Sequence, residues 1–289
     1  MKNFLFTTDF SKNADNALPF SIDLVKKKNG KLYLLHTYGL PIVPIEESFS
    51  FNTKKESDVC KITRLNAHNK LNQLIKNYKL SNIKHRALLR EGDVKDEILN
   101  AIEKNDIDMV IMGTRGVMAE KGLFFGSTTK SIIQNAPCPV FAIPKEAQYN
   151  KISKIVYLSN LKYDETNIIN HIIELAKLHD ASIVILHIDY EEDDLFIGKN
   201  GSSVIHEWSI ELLKDIIDKV VYPKITYMEM VNKNIIEGIN EYLKKDEPNV
   251  IAMTTYTTTL FDKLFHKSLT KQVLLHTQIP LLAFNGNLF

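Results

Sequence analysis

The sequence has few of the features that mark secreted, zinc-binding, membrane-spanning or nucleic-acid-binding proteins. Its 289 residues include two cysteines, Cys60 and Cys138, whose wide separation excludes a disulfide framework and the paired spacing of a structural zinc site. Lysine and arginine number 36 against 35 aspartates and glutamates, so no positive field attracts nucleic acid or an anionic membrane. No apolar run approaches the roughly 18 residues of a membrane span, and Asp9 interrupts the N-terminal apolar stretch too early for a signal peptide. We therefore expect a cytoplasmic protein without nucleic-acid or membrane partners.

Common catalytic motifs are missing as well. The sequence contains no H-E-x-x-H, G-x-S-x-G or G-x4-G-K-S/T element, the patterns of zinc proteases, serine hydrolases and P-loop NTPases. Its histidines show no metal-ligand spacing. We expect neither a catalytic group nor a metal site made by the protein alone.

The composition is that of a folded globular protein. Hydrophobic residues make up 44% of the chain and charged residues 25%, in a spread pattern that excludes disorder and fibrous repeats. A chain of 289 residues has the length of about two ordinary domains.

An internal repeat relates the two halves of the chain. Residues 108–144 align without a gap on residues 249–285, and residues 3–11 correspond to residues 154–162. Asp9 then corresponds to Asn160. Because the similarity covers the beginning and the end of each half, each half is predicted to be a complete domain.

A polar stretch at residues 145–151 separates the halves, and we predict domains at residues 1–147 and 151–289. His36 and His187 occupy equivalent positions at the ends of apolar runs. This equivalence indicates a repeated packing role rather than a metal pair.

Within each half, short β-branched and aromatic runs alternate with longer amphipathic segments, a pattern typical of βαβ units around a parallel sheet. Strands are predicted near residues 4–8, 32–37, 84–89, 109–112 and 140–143, and again near residues 154–158, 183–188, 224–230, 250–253 and 281–284. Loops are predicted at residues 39–53 and 191–203. The predicted fold class is α/β, with two tandem doubly wound domains that each have a five-stranded parallel sheet flanked by helices.

The strongest functional signal lies after the predicted strand at residues 109–112. Gly113-Thr-Arg-Gly116 is followed, nine residues later, by Gly126-Ser127-Thr128 at the start of a predicted helix. Glycines allow a bulky group to approach the main chain, and the amides and dipole of a helix N-terminus favour a phosphate. Each element alone is typical of an ordinary turn or cap, but their combination with Asp9 after the first strand favours a phosphate-binding site.

This combination resembles the nucleotide motif of the universal stress protein family, Gly-x2-Gly-x9-Gly-Ser/Thr. The residues Thr7-Thr8-Asp9-Phe10-Ser11 resemble the first-strand motif of that family, and Leu89-Arg-Glu-Gly92-Asp resembles the segment after its third strand. The resemblance extends over nearly all of both halves. It implies a tandem universal stress protein with the adenine nucleotide alpha hydrolase-like fold.

The resemblance also implies a binding site for ATP in the first domain. Residues at the ends of the first two strands would meet the adenosine end: Thr7, Thr8, Asp9 and Thr37. Residues after the fourth strand would approach ribose and phosphates: Met112, Gly113, Arg115 and Gly116. The helix start would hold the β- and γ-phosphates: Gly126, Ser127 and Thr128. A divalent ion, Mg²⁺ or Mn²⁺, would be carried by the nucleotide.

The second half lacks this motif. Thr254, Thr257 and Lys267 replace the three glycines, and Asn160 replaces Asp9. We expect the threonine side chains to occupy the volume that phosphates would need, so that the second domain does not bind ATP in this manner.

The expected function is ATP binding by a stress-response regulator that is not an enzyme, with an unknown regulatory protein as partner. Two alternatives remain: a slow ATP-hydrolysing or adenylate-forming enzyme, and a nucleotide-free interaction scaffold. The resemblance further implies an intrachain pseudo-dimer in which residues 140–143 pair with residues 281–284, and a homodimer of tandem chains is a further possibility.

Overall fold

The computed structural model describes residues 1–39, 53–114, 126–161, 164–190, 221–255 and 278–288. Within these residues the chain forms two compact units, of which the first ends at Lys145 and the second begins at Glu146. The predicted loops at residues 39–53 and 191–203 lie almost entirely outside the described residues.

The first unit is built from five described strands and four described helices. Its strands are β1 (Asn3–Thr7), β2 (Lys31–Tyr38), β3 (Lys84–Glu91), β4 (Met109–Gly113) and β5 (Val140–Ile143). Its helices are α1 (Lys12–Lys28), α2 (Thr53–Asn77), α3 (Val94–Lys104) and α4 (Ser127–Asn135). The strands are parallel and lie in the order β3-β2-β1-β4-β5.

The second unit repeats this arrangement. Its described strands are β6 (Lys154–Leu158), β7 (Ser182–Tyr190), β8 (Ile225–Asn232), β9 (Val250–Thr255) and β10 (Leu281–Asn285). Its described helices are α5 (Thr166–His179) and α6 (Ile235–Lys245). The strands are again parallel, in the order β8-β7-β6-β9-β10. The predicted fold class, two tandem doubly wound domains with five-stranded parallel sheets, is confirmed.

Several strands are buried along their whole length. Every residue of β5, β9 and β10 is buried, as near-continuous apolar strands of a parallel sheet require. None of the described helices is long and apolar enough to cross a membrane.

Side chains cap the starts of several helices. Ser11 accepts the Ala14 N–H at 3.1 Å at the start of α1, and Asn234 accepts the Glu237 N–H at 2.9 Å at the start of α6. At α3, Asp93 accepts two amides of the first turn. Such caps satisfy helix amides that have no partner within the helix.

Candidate functional site

The strand order of the first unit creates a crevice between β1 and β4. The chain moves outward from β1 through β2 to β3, and then returns to the opposite side of β1 with β4. The connections after β1 and β4 therefore diverge at the carboxyl edge of the sheet. This place, where the strand order reverses, is called the switch point, and open α/β sheets generally bind ligands there. Phe6 pairs with Ile111 across these strands, so Thr8 and Gly113 follow at neighbouring points of this edge.

A tight turn carries the chain from β1 into α1. Thr8 Oγ1 accepts the Phe10 N–H at 3.0 Å, and Asp9 Oδ1 accepts the Ser11 N–H at 2.9 Å. Phe10 has a left-handed backbone conformation, with φ of 61°, which such side-chain bonds support. Thr8 is buried in the turn, whereas Thr7 and Asp9 stay partly exposed at the edge.

Strand β2 extends past the end of β1. The Thr8 N–H donates to the Leu35 carbonyl at 2.9 Å, while β2 continues beside β3 as far as Tyr38. Because backbone groups of alternate strand residues point to the same side, Thr37 points its N–H and carbonyl the same way as Leu35. Thr37 therefore presents backbone hydrogen-bonding groups beyond the end of β1.

A histidine ring ends the ladder between β1 and β2. His36 Nδ1 lies 2.8 Å from the Thr8 carbonyl, and Nδ1 carries the proton because a carbonyl oxygen only accepts. Burial lowers the pKa of His36, and the charge of Lys70 lowers it further, while the Thr8 bond and Asp9 act in the opposite direction. The ring is therefore neutral at neutral pH.

Two residues outside the predicted site, Phe10 and Lys70, lie at the same edge. Phe10 packs on His36 with ring centroids 4.2 Å apart, and Lys70 Nζ lies 5.6 Å from the Phe10 ring centroid. Lys70 belongs to α2, and its positive charge acts on His36 in β2.

The first turn of α4 lies against the end of β4. Thr114 donates its N–H to the Ile143 carbonyl at 2.9 Å and accepts the Gly126 N–H at 2.7 Å. Thr129 Oγ1 donates to the Gly113 carbonyl at 3.1 Å, and both threonines are buried. These bonds hold Gly113 and Gly126 close together, at the two ends of the connection between β4 and α4.

The N-terminus of α4 has no side-chain cap among the described residues. Gly126 occupies the N-cap position with an extended backbone, and Ser127 and Thr128 begin the helix with partly or fully exposed side chains. The first amides of a helix lack partners within it and carry the positive end of its dipole, so they suit an anion. Arg115 and Gly116 lie outside the described residues.

Gly113 also lies against the start of α1, a packing contact that the sequence did not indicate. A Cβ built on Gly113 would lie 3.0 Å from Asn13 Nδ2 and 3.1 Å from the Asn13 carbonyl carbon. The start of α1 therefore fills the space into which a side chain at position 113 would project. Met112 is 4% exposed, so its side chain belongs to the core and does not line the crevice.

The second unit keeps the same backbone frame at the end of its first strand. His187 Nδ1 lies 3.1 Å from the Ser159 carbonyl, and Ser159 Oγ accepts the Leu161 N–H at 3.1 Å. Leu161 has a left-handed backbone, as Phe10 does. The equivalent contacts of the two histidines confirm their predicted packing role.

Thr254, which stands where the first unit has Gly113, is buried within the second unit. Its side chain is 5% exposed, and Oγ1 lies 2.8 Å from the Tyr157 hydroxyl. Thr254 therefore lies within the packing of the second unit, where its hydroxyl is engaged by Tyr157. Thr257 and Lys267 lie outside the described residues.

Two successive doubly wound units, the first with an uncapped helix at its switch point, define a tandem α/β protein. The sequence model of the universal stress protein family matches residues 1–144 and 153–285. The chain belongs to the universal stress protein family.

Individual relatives agree with this assignment. Universal stress protein Slr1230 of Synechocystis is 23% identical over 299 aligned residues, which cover 98% of this chain and 100% of that protein. A universal stress protein of Methanothermobacter thermautotrophicus is 37% identical over 62 residues, which cover 22% of this chain and 42% of that protein. A match to a Thermus aquaticus relative also covers 42% of that relative's length. The chain therefore spans less than half of these last two relatives.

A solved structure shows the same fold over nearly the whole chain. The universal stress protein from Archaeoglobus fulgidus superposes with a TM-score of 0.67 at 14% identity, and the match covers 98% of this chain and 96% of that one.

The contact between Gly113 and Asn13 generates a stability prediction. Gly113→Ala should lower the free energy of unfolding by about 1–3 kcal/mol, because the new methyl group overlaps the backbone of α1. Urea unfolding measures this change. Gly39→Ala is the control, since nothing lies within 4 Å of a Cβ at Gly39. Equal stability of the two variants would contradict the packing role.

The bond between Thr129 and Gly113 generates a second prediction. Thr129→Val should cost about 1 kcal/mol of stability through the lost hydrogen bond, whereas Thr129→Ser keeps the hydroxyl and most of the stability. Chemical denaturation of both variants checks this. A serine variant as unstable as the valine variant would show that the methyl group matters and the bond does not.

Proposed function

We propose that the first domain binds ATP at the carboxyl edge between β1 and β4. The observation that carries this proposal is the uncapped start of α4, which the Gly126 N–H and the Thr114 carbonyl, 2.7 Å apart, hold against the end of β4. Amides at such a terminus favour the β- and γ-phosphates of a nucleotide. The family's nucleotide motif, matched by Gly113, Gly116 and Gly126, supports the same choice of ligand.

The other end of the crevice suits adenosine. Thr37 offers a backbone donor and acceptor beyond the end of β1, which can pair with the edge of an adenine ring. Asp9, partly exposed in the turn after β1, supplies a carboxylate that accepts hydrogen bonds from hydroxyl or amino groups of the nucleoside. These polar groups lie at one edge of the sheet, as a single elongated ligand requires.

A divalent ion would arrive with the nucleotide. In the described part of the chain, no group of three or more His, Cys, Asp or Glu residues is placed to hold a metal. The start of α4 offers amide and hydroxyl groups, which bind phosphate oxygens. Mg²⁺ or Mn²⁺ would therefore be held mainly by phosphates and water, with Arg115 as a further phosphate ligand.

We further propose that bound ATP acts as a regulatory signal and is not the substrate of a dedicated reaction. Phosphoryl transfer needs a positioned base or water-orienting group as well as phosphate stabilisation. Asp9 Oδ1 already accepts the Ser11 N–H, and His36 Nδ1 is engaged with the Thr8 carbonyl. Slow hydrolysis would then reflect charge stabilisation alone.

The second domain is proposed not to bind ATP. Asn160 takes the place of Asp9, and the buried Thr254 reorganises the packing at the equivalent switch point. One ATP per chain is the expected stoichiometry.

Ser127 provides a test in which binding and stability move in opposite directions. Ser127→Asp should stabilise the start of α4 by about 0.3–1 kcal/mol through the helix dipole, yet weaken ATP binding by roughly tenfold or more because the carboxylate repels phosphates. Isothermal titration calorimetry gives affinity and stoichiometry, and thermal unfolding without ATP gives stability.

Ser127→Ala is the matched control, because it removes the hydroxyl without adding charge. Unchanged affinity in the aspartate variant would rule out phosphate binding at α4. A stoichiometry of two would instead show that the second domain also binds ATP.

The fate of the nucleotide separates the regulatory proposal from an enzyme. ATP incubated with the full chain and Mg²⁺ should be recovered unchanged, apart from slow conversion close to the buffer rate. Chromatography of nucleotides released from the denatured protein measures this. Steady multiple-turnover formation of ADP or AMP would overturn the regulatory proposal and favour an enzyme.

A further inference from the structure

A buried carboxyl group lies at the start of the first helix of the second domain. Glu165 is the N-cap residue of α5, and 1% of its surface is exposed. Carboxyl groups are almost never fully buried unless they are paired, and no cation of the described residues acts on Glu165. Its surroundings are instead hydroxyl groups.

These hydroxyl groups form a continuous chain. Ser159 Oγ accepts the Leu161 N–H at 3.1 Å, and it donates its proton to Glu165 Oε2. The Tyr157 hydroxyl bonds both the Glu165 carboxyl group and Thr254 Oγ1, the latter at 2.8 Å. Strands β6 and β9 and helix α5 therefore meet at one hydrogen-bonded cluster, Ser159-Glu165-Tyr157-Thr254, which we call the Glu165 cluster.

The first domain has no such cluster at the equivalent place. When the alignment of residues 3–11 with 154–162 is continued without a gap, Phe6 corresponds to Tyr157 and Ala14 to Glu165, while Gly113 corresponds to Thr254. Phe6 and Ala14 are buried and apolar. Three neighbouring positions thus differ together, and the three polar side chains of the second domain satisfy one another.

The start of the helix differs in the same way. Helix α1 begins at residue 12, which corresponds to residue 163, whereas α5 begins at Thr166. In the first domain a side chain at Gly113 would collide with Asn13. A helix that begins three positions later leaves room for the Thr254 side chain, and Glu165 takes the place beside it.

The surroundings of Glu165 favour its protonated form. Burial raises the pKa of Glu165 to about 7, and the neighbouring charge of Asp164 raises it too, while the bonds from Ser159 and Tyr157 act in the opposite direction. In the described part of the chain, His187 on β7 is a further titratable group near this cluster, and its Nδ1 bonds the Ser159 carbonyl at 3.1 Å. The carboxyl group therefore titrates close to neutral pH.

We propose that the Glu165 cluster is a proton-binding site, at which release of one proton reverses the hydroxyl groups of Tyr157 and Thr254 and loosens the start of α5. With the proton bound, the Glu165 carboxyl group donates to Tyr157, which donates to Thr254. With the proton released to solvent, Tyr157 and Ser159 both donate to the carboxylate, and the Thr254 hydroxyl turns to donate to Tyr157. A buried carboxylate without a cation then favours opening of the helix start.

The sign of the pH dependence follows from the raised pKa. The folded state holds the Glu165 proton more tightly than the unfolded chain does. The contribution of this proton to the stability of the folded state is therefore complete below about pH 4.5, the ordinary pKa of glutamate. It is lost as the pH rises through about 7. The second domain should therefore open more readily on the alkaline side of neutrality.

Carbon-13 NMR of the full chain with labelled glutamate side chains measures the titration directly. One carboxyl signal, absent from Glu165→Gln, should titrate near pH 7. Hydrogen exchange of the α5 amides, corrected for intrinsic rates, should show opening that increases on the order of 70-fold between pH 5 and pH 8 in the wild type. Glu165→Gln should remove this increase.

Glu237→Gln is the matched control, because Glu237 is an exposed carboxylate in the first turn of another helix of the same domain. It should leave the α5 exchange profile unchanged. If Glu165→Gln does not fold, Tyr157→Phe identifies the signal, since the first domain has phenylalanine there and loss of the hydroxyl should raise the midpoint. A Glu165 midpoint between pH 4 and pH 5, or an equal pH response in Glu165→Gln, would overturn the proposal.

Discussion

In each domain, the start of the first helix contacts the end of the fourth strand, and this contact sets the geometry of the domain. The elements are α1 and β4 in the first domain and α5 and β9 in the second. In the first domain this contact is close enough to exclude any side chain at Gly113, because a Cβ there meets Asn13 at 3.0 Å. The Gly113 carbonyl meanwhile accepts from Thr129 in α4. One residue thus fixes α1 on one side and α4 on the other, and the uncapped start of α4 comes to lie at the edge of the sheet.

The second domain satisfies the same constraint differently. Thr254 adds a side chain at the crowded point, α5 begins later than α1, and Glu165 and Tyr157 supply hydrogen bonds for the added hydroxyl. A polar group without a partner would be costly in this position. The three differences between the domains are therefore one coupled change of packing, and not the gradual filling of an empty site.

Much of the fold follows from the sequence because hydrophobic periodicity reports directly on burial. The strands at residues 140–143 and 154–158 have the predicted bounds, and the repeat reveals the tandem arrangement. The glycine motif also locates the helix start near Ser127. What periodicity cannot supply is the neighbour of each side chain, which depends on how distant segments pack.

That limit explains the particular misses. A glycine in a nucleotide motif, such as Gly113, indicates space for a ligand. Only the position of Asn13 shows that α1 packs against this glycine. Lys70 lies far from the motif in sequence and reaches Phe10 through the placement of α2. Glu165 stands beside Asp164 in a polar segment, where an acidic pair ordinarily indicates a solvated helix start, so its burial could be recognised only from three-dimensional contacts.

The histidine rings that end the first strand ladders bear on the speed of ligand exchange. His36 and His187 join the second strand of each sheet to the residue that follows its first strand, through hydrogen bonds within the protein. A preformed edge spares an incoming molecule the entropy of ordering the loop, and association then proceeds without a slow rearrangement. For the ATP site proposed in the first domain, occupancy would then follow changes in nucleotide concentration within the time of ordinary dissociation.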